Sequence, residues 1–230
     1  MITLAIDSTA KAASAAVLRD HIVIAEYTQN TGHTHSETML PMAEAVMKAA
    51  GITPDTVDLF AISAGPGSFT GVRIGISLIK GLCFGKDKPI AALSSMDTLA
   101  RNLEGYSGVV CPVMDARRNQ VYTAIYLNGV RQTEDMLIPC AQLKEMLSKY
   151  DCPIRFTGDG YDLARKLIEL PNIMDTPLRL RLQNAVSVAL EGIKSYNENK
   201  NIFTDTTVMP IYLRASQAER ERLERINQNE

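Results

Sequence analysis

Apolar and polar residues alternate with a period of two at the start of the chain, which predicts strands. The predicted elements are strands at residues 2–8, 14–19 and 21–28, followed by a helix from about residue 36 to residue 50. The turn near Arg19-Asp20 is short enough for a hairpin, so the three strands should form an antiparallel meander. Ser36 is a suitable helix N-cap, and Gly51 is a stop signal at the other end.

Strand and helix patterns then alternate along the chain, as they do in α/β proteins. The next predicted elements are strands at 59–64 and 89–93, a glycine-rich loop at 65–71, and helices that end near Phe84 and Glu104. Beyond residue 108 the pattern predicts strands at 109–115, 120–127 and 154–157, helices at 141–149, 161–169 and 181–196, an extended segment at 208–214, and a charged final helix.

The two halves of the chain open in the same way, with a strand that ends in an aspartate and leads into a hairpin. These aspartates are Asp7 and Asp115. The repeat indicates either an internal duplication or a common turn, since Asp is favoured at turn starts. We divide the chain into a first lobe at 1–104, a smaller second lobe at 105–207, and a final segment at 208–230 whose packing the sequence leaves open.

Composition and charge narrow the class of protein. The chain has 230 residues, of which 46% are apolar and 22% charged, and its net charge is −2. These values exclude disordered and fibrous proteins and leave no overall positive field to hold nucleic acid non-specifically. Four scattered cysteines, no secretory signal and no long apolar run lead us to expect a soluble cytoplasmic protein with no membrane association.

The first strand is followed by Asp7, Ser8 and Thr9, which are the first candidates for phosphate chemistry. In sugar kinases and actin-like ATPases an Asp at this place handles the metal, whereas the simpler alternative is an Asp that caps a turn. Such chemistry also needs a second phosphate loop, but the turn that begins at Asp115 contains no glycine. Its Arg117 and Arg118 would crowd a nucleotide, but they could hold an anion. Only 158–160 resembles an adenosine loop, so the phosphate-loop candidates are predicted to be vestigial.

The loop GPGSFTG lies between a strand and the start of a helix, where backbone N–H groups can hold an anion. Gly65, Gly67 and Ser68 are therefore also vestigial phosphate-loop candidates. The loop is neither a Walker loop nor a dinucleotide fingerprint, and as a bare pattern it favours a structural turn. The alternative hypothesis for function is a small actin-like phosphotransferase or ATPase that uses Asp7 and this loop.

Metal-binding and nucleophilic residues are not apparent. His33 and His35 would point apart on a helix, and no carboxylate stands at a metal-ligand spacing from them. Ser63 and Ser68 have no evident base, and the loop is not a nucleophile elbow. We therefore expect no catalytic residue, no metal and no cofactor.

The helix at 36–50 and the helix that ends near Phe84 carry more apolar residues than the stripe about 100° wide that packing on one sheet requires. Either later helices of the same chain cover the excess or a partner does, and the pattern favours a partner. The methionines suit a surface that adapts to more than one partner, and two glycines would let a partner helix approach closely. The predicted interface residues are Met39, Leu40, Ala43, Val46, Met47, Gly71, Gly75, Ile76 and Ile79.

Four motifs together carry a resemblance to a known family. They are the opening Ile-Asp-Ser-Thr at 6–9, His35-Ser36-Glu37 before Met39-Leu40-Pro41, GPGSFTGVRIGISLIKGL at 65–82, and Tyr212-Leu213-Arg214 before Ala218-Glu219. With them the chain resembles the bacterial TsaB (YeaZ) family, which are paralogues of the TsaD/Gcp (M22 glycoprotease-like) group. The 65–82 motif is highly specific, whereas 105–205 matches only loosely.

This resemblance implies an actin-like ATPase (RNase H-like) fold of two related lobes, each a mixed sheet flanked by helices. It also implies a non-catalytic scaffold in the synthesis of threonylcarbamoyladenosine in tRNA, without peptidase activity. The implied partners are a TsaD-like catalytic subunit, a TsaE-like ATPase and a second copy of the chain, with tRNA reached only through the complex. Inside the complex Arg117 and Arg118, or the arginines of the final helix, could contact tRNA. The second histidine of the catalytic relative's metal pair would fall at Met39, which is no ligand for a hard metal. Val46→Glu is then expected to abolish pairing and leave the lobes folded.

Overall fold

The computed structural model describes residues 1–214. The elements of the first half are β1 (Ile2–Asp7), β2 (Ala13–Arg19), β3 (Ile22–Gln29), α1 (His35–Ala50), β4 (Leu59–Gly65), α2 (Phe69–Cys83), β5 (Ile90–Ser94) and α3 (Ser95–Arg101). Those of the second half are β6 (Val109–Asp115), β7 (Gln120–Thr123), β8 (Tyr126–Leu127), β9 (Val130–Arg131), β10 (Met136–Pro139), α4 (Cys140–Leu147), β11 (Ile154–Thr157), α5 (Tyr161–Leu167), β12 (Ile173–Met174), α6 (Ala185–Asn197) and β13 (Ile202–Phe203).

Two sheets share one strand order. The first runs β13-β5-β4-β1-β2-β3 and the second β10-β7-β6-β11-β12, with β8 and β9 attached to β6. In each sheet the first three strands are antiparallel and the next strand, β4 or β11, lies parallel to the first. The α/β prediction of two related lobes, each with a mixed sheet, is confirmed, and the common strand order favours the duplication over a chance repeat of turns.

The predicted helices within the described residues agree with the structure apart from their ends, but the short strands β9, β10, β12 and β13 were not predicted. Helix α1 begins at His35 after Thr34 rather than after Ser36, and it ends at Gly51, whose φ of 66° provides the expected left-handed cap. The strand predicted at 120–127 is divided into β7 and β8. The predicted charged helix at the C-terminus lies outside the described residues.

Helices α3 and α6 join the two lobes by packing across the division in sequence. Helix α6 comes after the second sheet but packs on the first, where Val188 and Ala189 form a buried cluster with Ala61. Strand β13 likewise pairs with β5. Helix α3 comes before the second sheet but packs on it, with Leu99 buried beside Met114. Residues 105–207 therefore contribute to both sheets.

Helices α1 and α2 cover the other face of the first sheet, and this arrangement corrects most of the predicted interface. The predicted residues that lie buried in the chain's own core are Met39, Met47, Ala43, Val46, Ile76 and Ile79. Their apolar side chains fill the space between the two helices and the sheet, so they cannot contact a partner. Leu40 alone among the predicted interface residues is exposed, at 46%.

Gly71 and Gly75 are also buried, and they serve packing inside the chain. A Cβ atom on Gly71 would collide with the Ser8 carbonyl oxygen, and one on Gly75 would collide with the Ser8 Oγ atom. The two glycines therefore bring α2 against the turn between β1 and β2, and the prediction that they admit a partner helix was wrong.

Candidate functional site

Asp7 is the last residue of β1 and is buried, and both oxygens of its carboxylate accept hydrogen bonds from within the chain. One oxygen accepts hydrogen bonds from the Thr9 backbone N–H (2.9 Å) and the Thr9 hydroxyl (2.7 Å), and the other accepts one from the Ser63 hydroxyl (2.6 Å). Burial raises the pKa of Asp7, and these hydrogen bonds oppose the shift. Asp7 does not line the cleft between the lobes, which fits the turn-capping alternative, and its membership of a vestigial phosphate loop stays a prediction.

The glycine-rich loop is a tight turn held by the chain around it. Gly65 has a φ of 117°, and a Cβ atom there would collide with the Ile211 carbonyl oxygen. The Ser68 backbone N–H donates to the Thr9 carbonyl oxygen (2.7 Å), and the Ser68 hydroxyl accepts from the Gly71 N–H (3.2 Å) at the start of α2. The loop thus joins β4, α2 and the β1–β2 turn into one rigid unit.

A cleft of about 1030 Å³ opens between the two lobes beside this unit. Of the predicted phosphate-loop residues, it brings together Thr9, Gly67, Ser68 and Asp115. Ser8 and Gly65 are buried and, like Asp7, lie outside the cleft wall. The structure therefore supports only part of the predicted constellation.

Four basic side chains line the cleft and come from distant parts of the chain. Lys11 belongs to the β1–β2 turn, Arg117 and Arg118 to the β6–β7 turn, and Arg214 to the end of the described chain. The sequence drew attention to the two adjacent arginines but not to Lys11 or Arg214. Only the position of Lys11, shortly after Thr9, could have signalled that it lies near the candidate loop.

The β6–β7 turn holds its two arginines in an uncommon backbone conformation. Arg117, Arg118 and Asn119 have φ values of 68°, 54° and 57°, so three consecutive non-glycine residues are left-handed. The Arg117 N–H donates to the Asp115 carboxylate (2.7 Å), and the Gln120 N–H donates to the Arg117 carbonyl oxygen (3.0 Å). Left-handed residues other than glycine cost about 1 kcal/mol or more each, so the surrounding bonds must maintain this turn.

Two further titratable residues line the cleft. The Nε2 atom of His35 lies 2.6 Å from the Ala10 carbonyl oxygen, which ties the start of α1 to the β1–β2 turn. Asp159 follows β11 and is exposed at its surface, but loss of hydration where the surrounding chain approaches its carboxyl group raises its pKa to about 6. Within residues 1–214 no three His, Cys, Asp or Glu side chains are grouped as metal ligands would be.

The outward sides of α1 and α2 form a second candidate surface, which we call the outer helix face. It comprises exposed Leu40 and Ala45 of α1 and half-buried Ile74, Leu78 and Leu82 of α2. Leu40 and Ala45 are exposed, whereas Ile74, Leu78 and Leu82 also pack against the core, and Ile74 lines the cleft as well. Within residues 1–214 the main contacts of α1 and α2 are with strands of the first sheet and with each other.

An aromatic cluster stands at one end of the outer helix face. Tyr212 stacks on Phe69 with ring centroids 4.9 Å apart. The guanidinium of Arg73 lies over the Phe69 ring at 3.8 Å, and its Nε–H donates to the Tyr212 hydroxyl (2.8 Å). The segment that carries Tyr212 is thereby fastened to α2.

Helices of the described chain are all too short or too polar to cross a bilayer.

Comparison with solved structures defines the class of fold. YeaZ from Pseudomonas aeruginosa superposes with a TM-score of 0.78 at 25% identity, covering 92% of this chain and 99% of that one. The activator of 2-hydroxyisocaproyl-CoA dehydratase from Clostridium difficile, solved with bound ADPNP, superposes with a TM-score of 0.53 at 10% identity, covering 92% and 100%. The second likeness shows the fold alone. The protein has the actin-like ATPase fold.

Comparison of sequences identifies the family. Residues 23–221 match the family model described as TsaD, tRNA N6-adenosine threonylcarbamoyltransferase. The tRNA threonylcarbamoyladenosine biosynthesis protein TsaB of Bacillus subtilis is 38% identical over 173 residues, which are 74% of this chain and 76% of that protein. TsaB of Escherichia coli is 35% identical over 60% of this chain and 63% of its own length. The chain belongs to the TsaB family, which takes part in the biosynthesis of threonylcarbamoyladenosine in tRNA.

Proposed function

We propose that this protein is a non-catalytic scaffold of the cytoplasmic machinery that makes threonylcarbamoyladenosine in tRNA. It pairs with a TsaD-like catalytic subunit and, in the complex, with a TsaE-like ATPase. The observation that carries the proposal is the state of Asp7, whose two carboxylate oxygens are bonded within the chain and which does not line the cleft. An actin-like enzyme needs an acidic side chain there to handle a metal, so the ATPase or phosphotransferase alternative loses its central residue.

The outer helix face is the surface that we assign to pairing. It replaces the buried residues of the sequence prediction with Leu40, Ala45, Ile74, Leu78 and Leu82, which lie on the same two helices but keep part of their surface exposed. Two helices that lie side by side can pack their outward sides against two helices of a related subunit. The same surface serves a second copy of the chain when the catalytic subunit is absent, so the two pairings compete.

Ala45→Arg tests this assignment, because it places a long charged side chain in the centre of the surface without disturbing the core. Ala141→Arg is the matched control, since Ala141 is also an exposed alanine of a helix but lies on α4. Co-purification with the catalytic subunit and gel filtration of the chain alone measure pairing. We expect Ala45→Arg to lose both the heterodimer and the homodimer, and Ala141→Arg to keep them. Normal pairing of Ala45→Arg would show that the surface lies elsewhere.

Calorimetry with ATP and Mg²⁺ tests the non-catalytic part of the proposal. We expect no tight binding by the isolated chain. Sub-micromolar binding that Asp7→Asn abolishes would restore the ATPase alternative.

A further inference from the structure

The cleft between the lobes collects positive charge on a protein whose net charge is −2. Lys11, Arg117 and Arg118 are exposed at its wall, and Arg214 is half-buried there. None of these four side chains forms an ion pair with a carboxylate among residues 1–214. Arg214 instead donates to the Ala116 carbonyl oxygen (3.4 Å), which holds it beside the β6–β7 turn. Four cations that form no ion pair within residues 1–214 and share one concavity are arranged to meet an anion.

The two acidic side chains of the cleft, Asp115 and Asp159, offset part of this charge and leave an excess of cations. Asp115 accepts a hydrogen bond from the Arg117 backbone N–H, so its carboxylate is directed into its own turn. Asp159 is the other acidic residue of the wall. The strained backbone at 117–119 adds a separate observation, because a turn of this kind persists only where the structure holds it in place. Here it keeps two adjacent guanidinium groups at the rim of the cleft.

The size of the cleft and the spread of its cations favour an extended anion. Its volume, about 1030 Å³, is at the upper end of the range of about 300–1,000 Å³ for sites of small ligands. The cations stand on three separate segments rather than around one point. Tyr122 and Tyr212 also line the wall, and aromatic rings can stack on unpaired bases.

We propose that this cleft binds the phosphate backbone of RNA through Lys11, Arg117, Arg118 and Arg214, and so gives the chain its own contact with the tRNA on which the pathway acts. This inference rests on the proposed function for the identity of the RNA. It departs from our expectation that tRNA is reached only through the complex. The contact carries no chemistry, because arginine and lysine contacts to phosphate position a nucleic acid without reading its sequence.

Fluorescence anisotropy with labelled unmodified tRNA tests the proposal on the chain alone and on its complex with the catalytic subunit. The variant is Arg117→Gln/Arg118→Gln, and the matched control is Lys149→Gln/Lys166→Gln, which removes two exposed cations of the second lobe outside the cleft. For the cleft variant we expect the Kd to rise roughly tenfold or more. The slope of log K against log salt should also fall by about 1.4, since each contact to single-stranded phosphate contributes about 0.7. The control should match wild type.

Three other outcomes would overturn the proposal. One is equal loss of binding in both variants, which would show only a general effect of charge. Another is the absence of salt-dependent tRNA binding by the wild-type chain, both alone and in the complex. The third is that the chain binds ATP or pyrophosphate but not tRNA, and that this binding depends on the two arginines. That result would assign the cleft to a small ligand. Heterodimer formation is measured on the same variants by gel filtration, so failure of the scaffold proposal is seen separately.

Discussion

Replacing Gly71 with alanine tests whether α2 depends on close contact with the β1–β2 turn. The Cβ atom of alanine would fall well inside van der Waals distance of the Ser8 carbonyl oxygen. Because the obstacle is backbone on both sides, relief requires α2 to move away from the turn. That movement would also disturb the hydrogen bond from the Ser8 hydroxyl to the Gly71 carbonyl oxygen (2.8 Å).

The magnitude follows from three contributions. Gly→Ala inside a helix stabilises by about 0.5–1 kcal/mol through backbone entropy. Forcing an extra methyl group into a filled space costs about 1–3 kcal/mol, and a weakened hydrogen bond about 1 kcal/mol more. Gly71→Ala should therefore lower the free energy of unfolding by about 1–3 kcal/mol. Gly81 is the matched control on the same helix, since a Cβ atom there meets nothing within 4 Å, and Gly81→Ala should raise stability by about 0.5–1 kcal/mol.

Urea denaturation followed by circular dichroism measures both variants. A difference of 1 kcal/mol moves the Tm of a chain of this size by about 2–4 °C, so thermal melts should separate the two variants by several degrees. We expect the free energy of unfolding to fall for Gly71→Ala and to rise for Gly81→Ala. Gly71→Ala that is as stable as Gly81→Ala would refute the close approach of α2 to the turn and would again allow Gly71 a role in pairing.

Three further perturbations probe the core and the cleft. Val46→Glu should unfold the chain or destabilise it by several kcal/mol, because Val46 is only 2% exposed and lies in the core. A Val46→Glu variant that stays folded and becomes monomeric would instead restore the interface predicted from the sequence. Ser63→Ala should lower the free energy of unfolding in urea by about 1–3 kcal/mol, because the Asp7 carboxylate loses the buried Ser63 hydroxyl donor at 2.6 Å. An unchanged urea midpoint would contradict the role of this hydrogen bond. The folded state holds the Asp159 proton up to a pKa of about 6, so this residue makes stability fall as pH rises from about 4 to 6. Asp159→Asn should flatten that decline in Tm, and an unaltered profile would exclude the raised pKa.

The period of apolar residues was sufficient to predict most of the elements, and the repeat of strand, aspartate and hairpin indicated the duplication that the two sheets confirm. The apolar pattern could not predict which apolar surfaces the chain itself covers and which it leaves for a partner. Met39 and Val46 are apolar in the sequence whether a partner or the chain's own sheet lies against them. The structure decides this because α1 faces both the sheet and α2, so a stripe wider than one face is buried within the chain. Only the outward residues, such as Ala45, remain for a partner.

The cleft could be predicted even less, because its residues come together only through the topology. Lys11 and Arg214 lie near opposite ends of the described chain, and no spacing rule relates them. Arg117 and Arg118 were visible as a pair of cations, but their left-handed backbone was not, because arginine has no preference for that conformation. The sequence therefore showed two arginines that could bind an anion, but it did not show that other cations join them in a cleft.

The β1–β2 turn is fixed against α1 and α2 and leaves the Lys11 side chain at the wall of the cleft. In this turn the Ser8 hydroxyl donates to the Gly71 carbonyl oxygen, the Thr9 carbonyl oxygen accepts from Ser68, and the Ala10 carbonyl oxygen lies against His35. The Thr9 N–H, which is the kind of donor that could hold a phosphate, is itself bonded to the Asp7 carboxylate (2.9 Å). What the turn can still offer to a ligand is a side chain at its rim, Lys11, and such a cation holds a phosphate backbone without needing a preformed cradle of N–H groups.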